Sequence, residues 1–251
     1  MTNKRPNGIV IYRGPSQLDG APIVAIATGL ATGSSNAKTG ALVQTWILRE
    51  DVSPTEAVNS GSDASICGDC PHRGTVVDGK NVGRSCYVTI FQAPLNVWKS
   101  YHRGIYANGA DLTETFKGRA VRVGSYGDPA AVPMAVWDAV LGEADYWTGY
   151  THAWRQFPEL SAYCMASADT AEDRWTAQAL GFRTFRVRAA SEPLLNREVV
   201  CPASEEAGRK TNCAACRACG GTSAKAKADI AIVAHGAASK VNAFNRERAA
   251  A

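Results

Sequence analysis

Seven of the chain's eight cysteines fall into two groups whose spacing suits thiolate ligation of a metal. In "CPASEEAGRKTNCAACRACGG", Cys213, Cys216 and Cys219 follow a C-x2-C-x2-C pattern, and Cys201 lies shortly ahead and directly precedes Pro202. Bacterial-type iron–sulfur cubanes use three closely spaced thiolates on a small-residue loop plus a remote Cys-Pro, because four sulfurs must converge on one cluster. Here the remote Cys-Pro comes before the triplet instead of after it. Four thiolates equally make a tetrahedral zinc site, although such sites usually pair two C-x2-4-C knuckles, whereas one arm here carries three cysteines and the other one. Spacing alone leaves iron–sulfur and zinc both open.

The earlier group, "CGDCPHRGTVVDGKNVGRSCYV", supplies Cys67 and Cys70 as C-x2-C, then Cys86 after fifteen further residues. Three thiolates around a cubane leave one iron without a protein ligand, and that iron is where a substrate or cofactor binds. His72 offers the other completion, a Cys3His zinc site. Cys164 stands alone at the start of an expected strand and reads as a small core residue.

The rest of the chain sets the chemical context. With 251 residues, 45% apolar and 20% charged, it has the composition of a globular protein. No stretch approaches the run of about 18 apolar residues that spans a bilayer, and the first residues lack an apolar signal core. The expectation is therefore a cytoplasmic protein without a membrane partner, where thiols persist as ligands, reactive groups or core residues rather than disulfides. Twenty-seven basic against twenty-three acidic residues give a net charge of +4, too little by itself to argue for nucleic acid.

The elements that must position the cysteines follow from periodicity. "GIVIYRGPSQLDGAPIVAIATGL" reads as two β-rich runs forming a hairpin, and "ALVQTWILRE" as an apolar strand. "SPTEAVNSG" carries Ser53 and Glu56 at capping-box spacing. From Cys86 onward strands alternate with helices: "CYVTIF", the helix "APLNVWKSYHRGIY", the strand "RAVRVGSYGD", the helix "VPMAVWDAVLGEA" and the strand "YWTGYTH". The rhythm continues through "PELSAY", "CMASAD", "TAEDRWTAQALG", "FRTFRVRAA" and "AKADIAIVAHG". This predicts parallel βαβ units with right-handed crossovers. The expected fold is α/β, a partial, open parallel β/α barrel with Cys-rich loops. Its divisions are an N-terminal hairpin segment over 1–35, an α/β domain over 36–240 and a loose tail over 241–251.

In parallel α/β folds the reacting groups sit beyond the carboxyl ends of the strands. Three such ends are polar: Ser125 and Asp128 in "GSYGD", Tyr150, Thr151 and His152 in "GYTH", and Ser167 and Asp169 in "ASAD". Together they are candidates to line one pocket. Asp128 before Pro129 and Asp169 before "TAEDRW" also fit plain helix caps, and His152 fits a structural hydrogen-bonder. No phosphate loop, G-x-G-x-x-G, G-x-S-x-G or H-E-x-x-H occurs, which argues against an ordinary nucleotide hydrolase or nicotinamide dehydrogenase.

"NAKTG" with "QTWIL", the cysteine loop ending in "CYV", "RVGSYGDPAAVP", "GYTHAW" and the late "CP" with "CAACRAC" resemble the phage proteins of the gene product 88 type, over roughly residues 36 to 220. That family carries no established activity. It is in turn distantly similar to radical SAM proteins, whose partial barrel holds a cluster in the loop after its first strand. Here C-x2-C-x15-C stands where their C-x3-C-x2-C triplet would. The resemblance implies a phage-encoded iron–sulfur protein in the host cytoplasm, with S-adenosylmethionine cleaved reductively at the open iron. The alternative is a zinc-stabilised module binding nucleic acid or a host protein through Arg183, Arg186, Arg188 and Arg197.

Overall fold

The computed structural model describes residues 6–250; residues 1–5 of the expected hairpin segment and residue 251 of the expected tail lie outside it. The opening alternation forms β1 (Gly8–Pro15) and β2 (Pro22–Thr28), antiparallel, with Gly8 opposite Thr28 and Pro15 opposite Pro22. β2 pairs antiparallel with β3 (Val43–Arg49), the strand predicted from "ALVQTWILRE". α1 (Pro54–Ser60) begins where Ser53 Oγ accepts the Glu56 amide, and α2 (Ala64–Cys67) ends on the first cysteine.

The next stretch differs from expectation. Between Cys70 and Cys86 the chain makes a small hairpin, β4 (Thr75–Val77) and β5 (Lys80–Val82), turning at Asp78 and Gly79 with φ of 50° and 71°. Asp-Gly is the pair that such a turn favours, since both residues accept positive φ. By contrast, "CYVTIF" forms no strand. The Cys86 amide donates to the His72 carbonyl, so the backbone there is committed to the cysteine loop and not to a ladder.

The alternation then proceeds through α3 (Ala93–His102), α4 (Leu112–Phe116), β6 (Ala120–Tyr126), α5 (Met134–Leu141), β7 (Tyr146–Thr148), β8 (Tyr150–Thr151) and β9 (Met165–Ser167). It continues through α6 (Ala171–Ala179), β10 (Thr184–Arg188), β11 (Glu198–Val200), α7 (Cys213–Cys216), β12 (Asp229–Val233) and α8 (Ala238–Ala250). One five-stranded sheet runs β1-β2-β3-β6-β7, the other β11-β12-β10-β9-β8. Within these two sheets every neighbouring pair from β3 onward is parallel, while the separate β4–β5 hairpin is antiparallel. The protein is thus mixed α/β, with parallel strands preceded by an antiparallel N-terminal pair.

Gly149 alone separates β7 from β8, so one predicted strand serves both sheets. A Cβ at this position would stand 2.8 Å from Cys164 Sγ and 3.1 Å from Val123 Cβ, which is why the joint carries glycine. Its amide donates to the Cys219 carbonyl and its carbonyl accepts from Met165. The main core contains the fully buried Ile23, Ile26, Ile47, Phe116, Trp137 and Cys164, the last as expected for a core thiol. Each large side chain buried there contributes about 1.5–3 kcal/mol. A smaller cluster of Met165, Cys201, Ala218, Ile230 and Ile232 underlies the late cysteines.

Two expectations are corrected by packing. Arg183, Arg186 and Arg188, offered as a nucleic-acid contact face, are buried; of the four only Arg197 is exposed. Arg183 donates to the carbonyls of Ala218, Gly221 and Ala228, Arg186 pairs with Glu198, and Arg188 with Glu206. Desolvated guanidinium groups persist only with such partners. The tail, expected to be loose, continues α8, because Ala243 and Phe244 are buried against the body.

Candidate metal centres

The early cysteines are placed by a compact loop beyond β3. Arg73 fastens it, donating to the Asp63 carboxylate at 2.7 Å and to the Gly61 and Gly68 carbonyls at 2.7 and 2.9 Å. Cys67 ends α2, Gly68 turns the chain at φ 54°, and Cys70 follows. The hairpin then carries the chain out and back, so that Cys86 returns beside His72. Burial, followed by the neighbouring charges of Cys70, Asp63 and Cys86, pushes the Cys67 thiol well above its ordinary range. Burial also raises Cys86, opposed chiefly by the neighbouring charge of Arg84. Burial, joined at Cys67 by neighbouring charge, thus disfavours free thiolates at both Cys67 and Cys86.

Two of the predicted strand-end residues converge on this loop. His152 Nε2 lies 3.9 Å from Cys70 Sγ and 3.5 Å from Asp169 Oδ2. His72 Nε2 lies 3.1 Å from Asp169 Oδ1, and its Nδ1 is 2.8 Å from Ser85 Oγ. Burial favours the neutral carboxyl of Asp169, but hydrogen bonds from His152 and His72 outweigh it and hold the group far below the usual carboxylate range. His152 is raised well above an ordinary imidazole: burial opposes its charge, and Cys70 and Asp169 overcome that.

The other strand-end residues do not join them. Asp128 is buried and accepts from Ala130, Thr151 Oγ1 and the His152 amide, so it combines a cap with a brace for His152. Ser125 lies inside β6 and donates to Gln44 Oε1. The Ser167 carbonyl accepts the Trp154 indole N–H. Tyr150 belongs with the other cysteine group, where, against the stronger effect of burial, its hydroxyl lowers the Cys219 thiol.

In that second group Asn212 caps α7, accepting the Ala215 amide, and Arg217 at φ 55° reverses the chain so that Cys219 returns. The loop is docked through the amides of Cys213 and Ala214, which donate to the carbonyls of Lys38 and Thr39. Burial raises the thiols of Cys201, Cys213 and Cys219, the last to about 12, with the other cysteines adding to the effect. Two cations oppose it. Arg122 and Lys38 lower the Cys213 thiol, and among the described residues neither forms an ion pair with a carboxylate. Arg122 also donates to Tyr87 Oη at 2.8 Å, and Lys38 Nζ lies 2.7 Å from His235 Nε2. Sequence reasoning missed both cations; an arginine on the apolar strand "AVRVG" was the available signal.

All eight cysteines are free thiols. Among the described residues, the one trio of His, Cys, Asp or Glu side chains whose ligand atoms lie within 4.8 Å of one another is His72, His152 and Asp169; no three sulfurs are that close. Also among the described residues, no helix is long and apolar enough to cross a membrane. Compared with family models, curated proteins and solved structures, the chain matches none.

Proposed function

We propose that this chain is an iron–sulfur protein of radical-SAM-like design, with Cys67, Cys70 and Cys86 holding a cluster that has one open iron, and Cys201, Cys213, Cys216 and Cys219 holding a second. The strands β3, β6, β7 with β8, β9, β10 and β12 follow one another in space in chain order, which supports a partial parallel β/α barrel. The first cysteine loop follows the first of these strands, as the resemblance implies. That resemblance also makes it a phage-encoded protein acting in the host cytoplasm.

The observation that carries the reading is the grouping of the thiols: Cys213, Cys216 and Cys219 share one short loop on which Cys201 also acts, and Cys67, Cys70 and Cys86 share a second loop that leaves one ligand position open. Three closely spaced thiolates with a remote Cys-Pro is the ligand pattern of a cubane. Arg122 and Lys38, which lower the Cys213 thiol and form no ion pair with a carboxylate among the described residues, suit an anionic cluster. An open iron at the first group would offer a site for S-adenosylmethionine and the electron for its reductive cleavage. His152 and Asp169 flank that group from neighbouring strands.

Anaerobic purification followed by iron, sulfide and zinc analysis with a visible spectrum tests this. About four iron and four sulfide per cluster, with a brown chromophore, is the expected result, and S-adenosylmethionine cleavage under a strong reductant then follows. A colourless protein holding zinc in both groups sinks it.

A further inference from the structure

His72, His152 and Asp169 come from three separate places, the cysteine loop and the ends of β8 and β9, yet their ligand atoms lie within 4.8 Å of one another. His72 Nε2 stands 3.1 Å from Asp169 Oδ1 and His152 Nε2 3.5 Å from Asp169 Oδ2, so both imidazole nitrogens face one carboxylate from its two oxygens. No lysine or arginine forms an ion pair with the Asp169 carboxylate among the described residues; its partners are the two imidazoles.

The surroundings are those of a ligand set. Ser85 Oγ at 2.8 Å occupies His72 Nδ1, which leaves Nε2 for a ligand role, and Glu247 Oε2 stands 3.5 Å behind Ser85. Asp128 fixes the backbone of His152 through its amide at 2.7 Å and through Thr151. Such outer partners orient imidazoles toward metals. The side chains of His72, His152 and Asp169 retain 14%, 21% and 21% exposure, so an ion can reach them.

We infer that His72, His152 and Asp169 bind a single divalent first-row transition ion, in a site distinct from either cysteine group and adjoining the first. Two imidazoles and one carboxylate with open positions suit iron(II), manganese(II) or zinc(II), and leave room for water or a substrate oxygen on the metal. Cys70 Sγ, 3.9 Å from His152 Nε2, places the ion beside the open side of the cysteine group, where it would orient a substrate donor.

Zinc(II) alone is the probe. The full-length protein, purified anaerobically with its cysteine centres intact, is cleared of loosely held ions with a mild chelator and dialysed against zinc(II); zinc, iron and sulfide are then counted. The wild type is expected to take up about one zinc more than Asp169→Asn or His72→Gln, with affinity in those variants down at least about tenfold. Their iron and sulfide contents stay unchanged, and Cys67→Ser retains the extra zinc. His72→Gln alters a loop side chain and serves if the Asp169 variant folds poorly, with circular dichroism as the check. Equal zinc uptake by wild type and both variants overturns the site, as does its loss in Cys67→Ser. Failure of the iron–sulfur reading shows separately, as missing iron and sulfide in the wild type.

Discussion

Asp128 offers the sharpest test of how the strand ends are held. Its carboxylate is 7% exposed and accepts three hydrogen bonds, from the Ala130 amide at 3.0 Å and from Thr151 Oγ1 and the His152 amide at 2.7 Å each. Its own amide donates to the Ile66 carbonyl at 2.6 Å, next to Cys67. Asp128→Ala strands three buried donors, each costing about 1–3 kcal/mol when left unsatisfied. Because Thr151 can turn its hydroxyl, the sum falls near 4 kcal/mol. Asp128→Asn keeps one oxygen and turns an amide against the His152 N–H, so about 2 kcal/mol is expected. Urea unfolding of the metal-free protein, followed by tryptophan fluorescence with Trp154 beside the site, measures both. The melting temperature should fall by about 10 °C for the alanine variant. A loss below 1 kcal/mol for alanine, or equal losses for the two variants, would refute the brace.

Three further outcomes follow from the same reasoning. Gly149→Ala pushes a methyl to 2.8 Å from Cys164 Sγ and should cost about 1–3 kcal/mol in urea titrations; combined with Cys164→Ala the loss should be less than the sum of the two. Tyr150→Phe removes the hydroxyl that lowers the Cys219 thiol and, if that group holds a cluster as proposed, should move its potential to more negative values in a redox titration, since polar groups beside cluster sulfurs favour the reduced state. Glu198 is buried, which favours its neutral form, but its hydrogen bonds to Arg186 prevail and its pKa lies below the ordinary 4.5. A depressed carboxylate stabilises the fold above 4.5 and loses that contribution as pH falls through the folded value, so Glu198→Gln should flatten the acid side of the stability profile.

The cysteine groups and the parallel alternation were legible because spacing and periodicity are local properties. β6, α5, β9, α6 and β10 fall where their apolar patterns place them. The short hairpin inside the first cysteine loop went unread: Asp78-Gly79 marks its turn, but its strands are too brief to show a period. "RTFRVR" misled for a different reason. Alternation separates two faces of β10 without saying which is covered, and here the arginine face is the covered one, satisfied by Glu198, Glu206 and carbonyls. The convergence of His72 with Asp169 across 97 residues, and of Cys70 with His152 across 82, depends on sheet order, which no local pattern encodes.

The contact of Lys38 with His235 joins positions 197 residues apart, so it cannot form until long after Lys38 is translated. The first cysteine group, by contrast, lies within residues 67–86 and is translated well before His235. Domains dominated by such distant pairings form slowly, because loop closure precedes its reward. During synthesis the early thiols therefore stand uncovered while the segment that will pack beside the late ones has no partner to hold it. If these groups hold clusters as proposed, the interval between translation of Cys86 and docking of His235 is when they are loaded or shielded from oxygen, so the yield of intact protein should depend on metal supply during expression.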